Sequence, residues 1–297
     1  MARTFVQLVD DLAALLELGQ QSGATERTQF KRFVNDAGRR LWSMFAWPER
    51  KKESTIVTAA EYTTGTVTVT NGSATVTGSG TTFAAAVAGR KFALSLSGPW
   101  YRISTRDSAT QVTLARNYEE PTASAQTYTI FQDEYDLATD VDVSSAMTIL
   151  YGTSNKVELK TQAEMDAVLV PGARGRPWCY CMVTPTTAGT RRIRFYPVPD
   201  AVYAFRSLYL RAWTDLSADA DAHAFDDTRE RLLLLGAALD GQRMADGKAI
   251  TSEAEWMHLV DENWRMTREA SPLVIQRVPF DQRRSSNITL DLSGLTS

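Results

Sequence analysis

The chain is 297 residues long and 43% of its residues are apolar, which is enough for one large or two modest domains with a proper hydrophobic core. Its formal net charge is −3, from 32 basic and 35 acidic residues, so it lacks the overall cationic field that concentrates nucleic acid non-specifically. No segment approaches the run of about 18 apolar residues that spans a membrane, and the N-terminus lacks the regions of a signal peptide. We therefore expect a soluble protein, made in a cytoplasm, with no membrane partner.

Two amphipathic helices are predicted at the N-terminal end, because apolar residues recur there at helical spacing. The two stripes comprise Phe5, Leu8, Val9, Leu12, Leu15 and Leu16, then Phe30, Phe33, Val34, Ala37, Leu41, Met44 and Phe45. Gly19 and Pro48 are natural stops for these helices. A helical hairpin alone buries too little surface to be stable, so we expect packing partners from elsewhere in the chain.

A long region rich in Thr, Ser and Val follows, and it predicts many short strands. Asn71-Gly72 predicts a two-residue hairpin turn between strands at Thr66–Thr70 and Ser73–Thr77. Further strands of a small sandwich or barrel are predicted at Lys91–Leu96, Trp100–Thr105, Gln111–Ala115 and Thr127–Phe131. A second sheet is predicted from Met147–Tyr151, Trp178–Thr184, Arg191–Tyr196 and Ala204–Trp213.

Two more helices are predicted near the C-terminus. The first runs from Asp226 to Met244 and is rich in leucine. The second starts at the capping box formed by Ser252 and Glu255, and its apolar face consists of Trp256, Leu259, Val260 and Trp264.

The predicted fold class is α+β, with a bundle formed by the N- and C-terminal helices, a large inserted antiparallel β region and an extended C-terminal tail. The expected boundaries are 1–51 for the N-terminal helices, 52–61 for a linker strand, 62–131 for the inserted β subdomain, 132–213 for the second sheet region, 214–270 for the C-terminal helices and 271–297 for the tail.

Sequence patterns typical of catalytic or ligand-binding sites are weak in this chain, and each has a structural explanation. Cys179 and Cys181 are one residue apart, which disfavours a disulfide between them and favours two buried free thiols. Gly78-Ser79-Gly80 lacks the Lys-Ser/Thr of a phosphate-binding loop. No nucleophile elbow occurs, so we expect no catalytic residue, no cofactor and no metal ion, and we do not expect an enzyme.

One acidic loop resembles a calcium-binding loop in its spacing. The residues that match are Asp219, Asp221, His223, Asp227 and Glu230. However, Ala224 occupies the position where glycine makes the sharp turn, and a strand precedes the loop. We therefore favour an acidic loop in which Asp226 or Asp227 caps the next helix.

A family resemblance is carried by Arg191–Ser217, RRIRFYPVPDAVYAFRSLYLRAWTDLS, and the following ADADAHAFDDTRERLLLLGAAL. This order of strand, Tyr-Pro-x-Pro-Asp turn, strand, acidic loop and leucine-rich helix resembles the tailed-bacteriophage head-to-tail connector (adaptor) proteins. GRPWCYCM at Gly175–Met182 fits the same pattern, and TNGSATVTGSGTTF at Thr70–Phe83 is similar to β modules of phage virion proteins.

The resemblance implies a structural virion protein at the neck, assembled in the host bacterial cytoplasm. Such adaptors form an oligomeric ring, usually twelvefold, that binds the portal protein above and the tail nozzle or tail-tube protein below. Tail fibres are a further partner, and double-stranded DNA passes through the channel without sequence-specific binding. Asp240, Asp246 and Glu253 are candidates for acidic positions on the channel wall.

The resemblance also implies that the C-terminal segment reaches the portal. Pro272 and Pro279 exclude a continuous helix in the tail. Alternating apolar residues at its end are typical of a strand that pairs with another sheet. The candidate portal contacts are Val274, Val278, Phe280, Arg283, Arg284, Ile288, Leu290 and Leu292. The alternative is that the tail pairs with a sheet of its own chain.

Two other functions compete with the adaptor. A tail-fibre or receptor-binding protein would use the Thr/Ser-rich β modules to hold carbohydrate. A hydrolytic enzyme would need a cleft, for which Trp100, Tyr101 and Asp107 are the best candidates.

Overall fold

A computed structural model describes residues 3–16, 24–142, 145, 147–184, 191–242 and 251–269. Five helices occur in these ranges: α1 (Phe5–Leu15), α2 (Ala24–Met44), α3 (Gln162–Val168), α4 (Asp227–Gly241) and α5 (Glu253–Glu269). Short 3₁₀ turns lie at Pro48–Arg50 and Ala85–Val87.

Fourteen strands occur in the same ranges. They are β1 (Lys51–Val57), β2 (Thr66–Val69), β3 (Thr75–Ser79), β4 (Lys91–Ala93), β5 (Tyr101–Ser108), β6 (Gln111–Leu114), β7 (Ala123–Gln126), β8 (Thr129–Phe131), β9 (Glu134–Asp136), β10 (Thr148–Tyr151), β11 (Asn155–Lys160), β12 (Cys179–Val183), β13 (Arg192–Tyr196) and β14 (Ala204–Leu210).

The strands form two curled, barrel-like sheets of seven strands each. Sheet A has the order β1-β14-β10-β11-β12-β13-β9, and sheet B has the order β7-β2-β3-β6-β5-β4-β8. The β11–β12 pair is parallel. Each sheet encloses its own buried cluster, with Ile149, Phe195 and Phe205 at the centre of sheet A and Val69, Phe92 and Ile130 at the centre of sheet B.

The predicted fold class, a helical bundle with an inserted β region, is therefore wrong. The fold is mostly β, because alternating inward-facing side chains fill two separate sheet cores. β1 begins directly after the turn that follows α2 and pairs along its whole length with β14, so sheet A is continuous with the helices rather than inserted between them.

Four helices share a third core beside the sheets. The predicted stripes of α1 and α2 face this core, with Phe33, Met44 and Phe45 only partly buried and Leu15 exposed, and the buried Trp42 adds to them. Asp226 caps α4 by accepting the Arg229 N–H at 2.9 Å, and the capping box of α5 is present between Ser252 and Glu255. Both predicted helix starts are thereby confirmed.

The hairpin turn at Asn71-Gly72 is confirmed, since the Ser73 N–H donates to the Thr70 carbonyl at 3.0 Å across these two residues. The flanking strands are shorter than predicted: β2 ends at Val69, β3 begins at Thr75 and Val69 is opposite Val76, so residues 70–74 connect them. Gly72 has φ +78°, whereas Asn71 does not have the positive φ that a primed turn needs. The wider connection arises because Ser73 and Ala74 pair elsewhere: their carbonyls accept the Tyr118 and Leu114 N–H groups.

Arg50 joins the helices to sheet A. Its Nη1 donates to the carbonyls of Trp42 and Phe45 at 2.7 and 2.8 Å, which satisfies acceptors left open at the end of α2. Its Nη2 pairs with Asp142, in the segment that leads to β10. Arg50 is buried, so these contacts fix the angle at which the chain leaves α2 and enters β1.

A buried ionic network joins the two sheets. Lys91 of β4 donates from Nζ to Asp133 Oδ2 at 2.9 Å and to Glu134 Oε1 at 3.0 Å. Arg194 of β13 donates to the same Glu134 oxygen at 2.9 Å. Because Lys91 belongs to sheet B and Glu134 and Arg194 to sheet A, the network sets how the sheets lie against each other.

The close approach of Gly38 and Trp213 gives a first prediction. A Cβ on Gly38 would lie 2.4 Å from the Trp213 ring, so we expect Gly38→Ala to lower the free energy of unfolding by about 1–3 kcal/mol despite its better helix propensity. Urea denaturation measures the change. Ser43→Ala, at an exposed position of the same helix, is the control and should be near neutral. A stabilised Gly38→Ala protein would contradict the packing described.

The ionic network predicts acid sensitivity. Burial alone would raise the pKa of Glu134, but Lys91 and Arg194 together lower the pKa to about 2 from an ordinary value of 4.5. Because the folded-state pKa is the lower one, this carboxylate stabilises the fold above about pH 4.5, and the stabilisation is lost as the pH falls towards 2.

We therefore expect Glu134→Gln to lower the free energy of unfolding near neutral pH by about 3 kcal/mol, because Arg194 loses its nearest carboxylate and the buried Lys91 keeps only Asp133. Its stability should also change less than that of the parent chain between about pH 4.5 and pH 2. Urea denaturation at several pH values measures both effects, with the exposed Glu119→Gln as control. The same pH dependence in parent and variant would disprove the role of Glu134.

Candidate functional site

The candidate site is the place where α5 packs against the other helices and its last turn meets the start of sheet A. Trp256 anchors the beginning of α5: its ring is buried, and its Nε1 donates to the Leu232 carbonyl of α4 at 2.8 Å. Gly236 of α4 permits this approach, since a Cβ there would lie 3.1 Å from the ring. Arg40 of α2 covers the same indole at 4.7 Å.

The C-terminal half of α5 is held by an aromatic cluster. Trp264 stacks on Phe45 with ring centroids 5.0 Å apart and meets Trp47 edge-on at 5.4 Å. Trp47 is fixed in turn, because its Nε1 donates to the Leu41 carbonyl at 2.7 Å. Aromatic pairs of this geometry contribute about 0.5–1.5 kcal/mol each beyond the area they bury.

Arg229 of α4 ties the last turn of α5 to the chain just before β1. Its Nη1 pairs with Glu49 and, at 2.6 Å, with Asp226 Oδ2, while its Nη2 donates to Thr267 Oγ1 at 2.8 Å. Its guanidinium also lies 5.0 Å from the Trp47 ring centroid. The side chain is buried, so these contacts fix the last turn of α5 against α4 and the chain before β1.

Sequence reasoning missed Arg229 as a functional position. The sequence signal that could have identified it is its position in the first turn of a helix, where the helix macrodipole disfavours a cation. A cation there indicates a specific acidic partner, which is Glu49.

All eight predicted portal contacts, Val274, Val278, Phe280, Arg283, Arg284, Ile288, Leu290 and Leu292, lie outside the described residues. Of the predicted channel positions, Asp246 also lies outside them. Asp240 is 3.5 Å from Arg40, and Glu253 is exposed in the first turn of α5.

The acidic loop before α4 binds its own chain. Asp219 Oδ1 pairs with Lys31 at 2.6 Å, and Asp221 Oδ2 accepts the Ser217 and Ala218 N–H groups at 2.7 and 2.8 Å. These backbone bonds lower the pKa of Asp221. The carboxylates do not converge as in a calcium loop, and the predicted capping role of Asp226 is confirmed.

The same loop holds the N-terminal helix in place. The Phe5 and Val6 N–H groups donate to the Asp221 and Asp219 carbonyls at 2.7 and 3.1 Å. His223 is buried and contacts Glu230 Oε2 at 2.9 Å, while its Nδ1 accepts the Phe225 N–H. The loop therefore joins α1, α2 and α4 in one helical layer.

The two cysteines are buried free thiols, as predicted. Cys179 Sγ lies 3.9 Å from Met165 Sδ, and Cys181 Sγ lies 3.4 Å from Gln162 Oε1. Burial raises the pKa of Cys179 to about 11, which keeps this thiol protonated near neutral pH. These side chains pack α3 on sheet A.

The residues proposed for a hydrolytic cleft do not come together. Trp100 precedes β5 and Asp107 lies near its far end, so the extended chain separates them by about 20 Å. Asp107 accepts hydrogen bonds from Thr113 and Thr105, which lower its pKa, and Tyr101 is buried. None of the described helices is long and apolar enough to cross a membrane.

Removal of Arg229 tests the anchoring of α5. We expect Arg229→Ala to lower the free energy of unfolding by about 3–5 kcal/mol, because it leaves Glu49 without its buried partner. Amide hydrogen exchange in the last turns of α5 should accelerate more than exchange in sheet B. Arg231→Ala, an exposed arginine of the same helix, is the matched control. Unchanged exchange in α5 would show that Arg229 does not hold it.

Comparison with known proteins covers the α4 and α5 part of this site. A family model described as SU10 adaptor protein matches residues 106–276, which is more than half of the chain. The match includes most of sheet A, the acidic loop, α4 and α5. No curated protein matches the chain. The chain belongs to the SU10 adaptor protein family and is thus a structural adaptor protein of the phage virion.

Proposed function

We propose that this protein is the head-to-tail adaptor, a ring of copies, twelvefold by family resemblance, that lies between the portal and the tail nozzle or tail tube. The observation that carries the proposal is the family match over residues 106–276, which includes the anchored helix α5 and the first residues beyond it. In this proposal the chain has a structural role rather than an enzymatic one, and tail fibres are a further partner.

The geometry of α5 supports a role for the C-terminal segment as the portal contact. Trp256, Trp264 and Thr267 fix this helix along its length, so the end of α5 would have the same position in every copy of a ring. Twenty-eight residues follow Glu269. At about 3.3 Å per residue, an extended segment of that length reaches well beyond the subunit that carries it.

The composition of this segment favours backbone pairing over charge attraction. Ile288, Leu290 and Leu292 alternate with polar residues, as in peptides that add a strand to the edge of a partner's sheet. Arg283 and Arg284 precede this stretch and supply its charge-assisted contacts. The portal would thus hold the adaptor by main-chain hydrogen bonds and alternate apolar side chains.

The overall charge suits a channel through which DNA slides. With a net charge of −3, the chain has no general attraction for phosphate, so DNA passing through a ring would not be held by it. Asp240 and Glu253 are the described residues that we propose for the channel wall.

Electron microscopy of the protein mixed with the portal protein of the same phage tests the proposal. We expect the full-length chain to form a ring under the portal. A chain that ends at Glu269 should remain folded but no longer bind the portal. Ile288→Asp with Leu290→Asp should act like the truncation, because charges would enter the apolar contacts. Thr289→Ser, on the alternate face of the same segment, is the matched control.

Two results would oppose the proposal in different ways. Full-length protein that does not bind the portal and forms elongated trimers would contradict the adaptor ring and favour the fibre alternative. A truncated chain that still binds the portal would contradict the role of the tail alone.

A further inference from the structure

A groove runs between the two sheets, beside the buried ionic network. It consists of two adjoining cavities, of about 660 and 320 Å³, that share Lys91, Arg102 and Glu134 in their walls. Trp100 and Arg116 line the larger cavity, and Arg90, Arg192, Asp133 and Asp136 line the smaller one. We call it the arginine groove. Its volume is in the range of natural binding pockets.

The arginine groove is positively charged, although the chain as a whole is negative. Its walls carry five basic residues and three acidic ones, an excess of two positive charges. The acidic residues are already engaged. Asp133 and Glu134 hold Lys91, and Asp136 holds Arg192 at 2.7 and 3.0 Å.

Several guanidinium groups therefore lack a carboxylate partner at hydrogen-bond distance. Arg102 is 4.0 Å from Glu134, and Arg116 is 3.7 Å from Glu119. Among the described residues, the buried Arg90 Nε and Arg192 Nη1 have no hydrogen-bond acceptor. Arg192 is 9% exposed, so this donor is withheld from bulk solvent. Unsatisfied buried donors are unfavourable, and an acceptor from outside can reach Arg102 and Arg116, whose side chains are 35% and 55% exposed.

The electrostatic surroundings of Arg90 also favour an anion in the arginine groove. Burial lowers the pKa of Arg90, and Tyr135 opposes the shift only in part. An anion in the groove would favour the charged guanidinium and relieve this cost.

Trp100 adds an apolar contact at the mouth of the groove. Its side chain is 45% exposed, and the Lys91 ammonium lies 4.1 Å from its ring centroid. Tryptophan and arginine are the residues most enriched at energetic hot spots of protein interfaces. Such a pair at a cationic groove suits a protein partner that carries both carboxylates and an apolar side chain.

We propose that the arginine groove binds an acidic, extended peptide segment of another virion protein. Its carboxylates would pair with the guanidinium groups of the groove, and one apolar side chain would lie on Trp100. A peptide can leave a gap opposite Asp133, Glu134 and Asp136, whereas a continuous polyanion such as DNA or a sulfated glycan would carry charge against all three. The proposal does not depend on how the C-terminal segment binds the portal.

A binding experiment with the intact protein tests the proposal. The probes are overlapping short peptides that cover the portal, nozzle and fibre proteins of the same phage, with an oligoglutamate peptide, heparin and a short DNA duplex beside them. We expect saturable binding of one or more acidic peptides. Arg116→Glu should weaken that binding at least tenfold, as should Trp100→Ala.

Arg32→Glu, an equal charge reversal at an exposed position of α2, is the matched control and should bind as the parent chain does. Thermal unfolding checks that each variant is folded, and portal binding by electron microscopy should persist in Arg116→Glu. No acidic peptide binding, or peptide binding that Arg116→Glu and Trp100→Ala leave unchanged, would overturn the proposal. Groove-dependent binding of heparin or DNA without binding of any peptide would overturn it as well.

Discussion

The short turn between α2 and β1 holds the molecule together, because its charged residues bind three different elements. Arg50 satisfies the open carbonyls at the end of α2 and pairs with Asp142 beside sheet A. Glu49 pairs with Arg229, which holds the last turn of α5. Buried ion pairs of this kind add little net stability but strongly resist the loss of one partner. They fix the relative directions of the helical layer, sheet A and the last turn of α5.

Buried contacts join the helical layer and the two sheets of this adaptor protein. The helical layer and sheet A are joined by buried contacts, and sheet B meets sheet A through Lys91, Glu134 and Arg194. The proposed partner-binding regions are the segment after Glu269 and the arginine groove, whose walls include Lys91 and Glu134 of this network. In the proposed neck position, the protein would use these separate regions to bind different neighbours.

Local features of the sequence predicted local structure well. The helix starts at Asp226 and at Ser252 were predictable because a cap depends on residues three or four positions apart. The free thiols followed from the spacing of Cys179 and Cys181. The capping-box rule would also have predicted the start of α3, where Thr161 and Glu164 form a capping box. This short helix was not predicted because it lies within a region that predicts strands.

Features that depend on distant residues were not predictable. The hairpin at Gly72 widened because Ser73 and Ala74 pair with residues more than thirty positions away. The fold class was wrong because the sequence does not reveal that β1 pairs with β14, or that each sheet closes around its own core. The arginine groove arises only where the two sheets meet.

Cryo-electron microscopy of the intact virion neck tests the central claim most directly. The account predicts a ring of this chain immediately below the portal, with the C-terminal end of every α5 directed at the portal and the following segment in contact with it. Density for this chain in the tail fibres, or a ring whose α5 ends face away from the portal, would contradict the account.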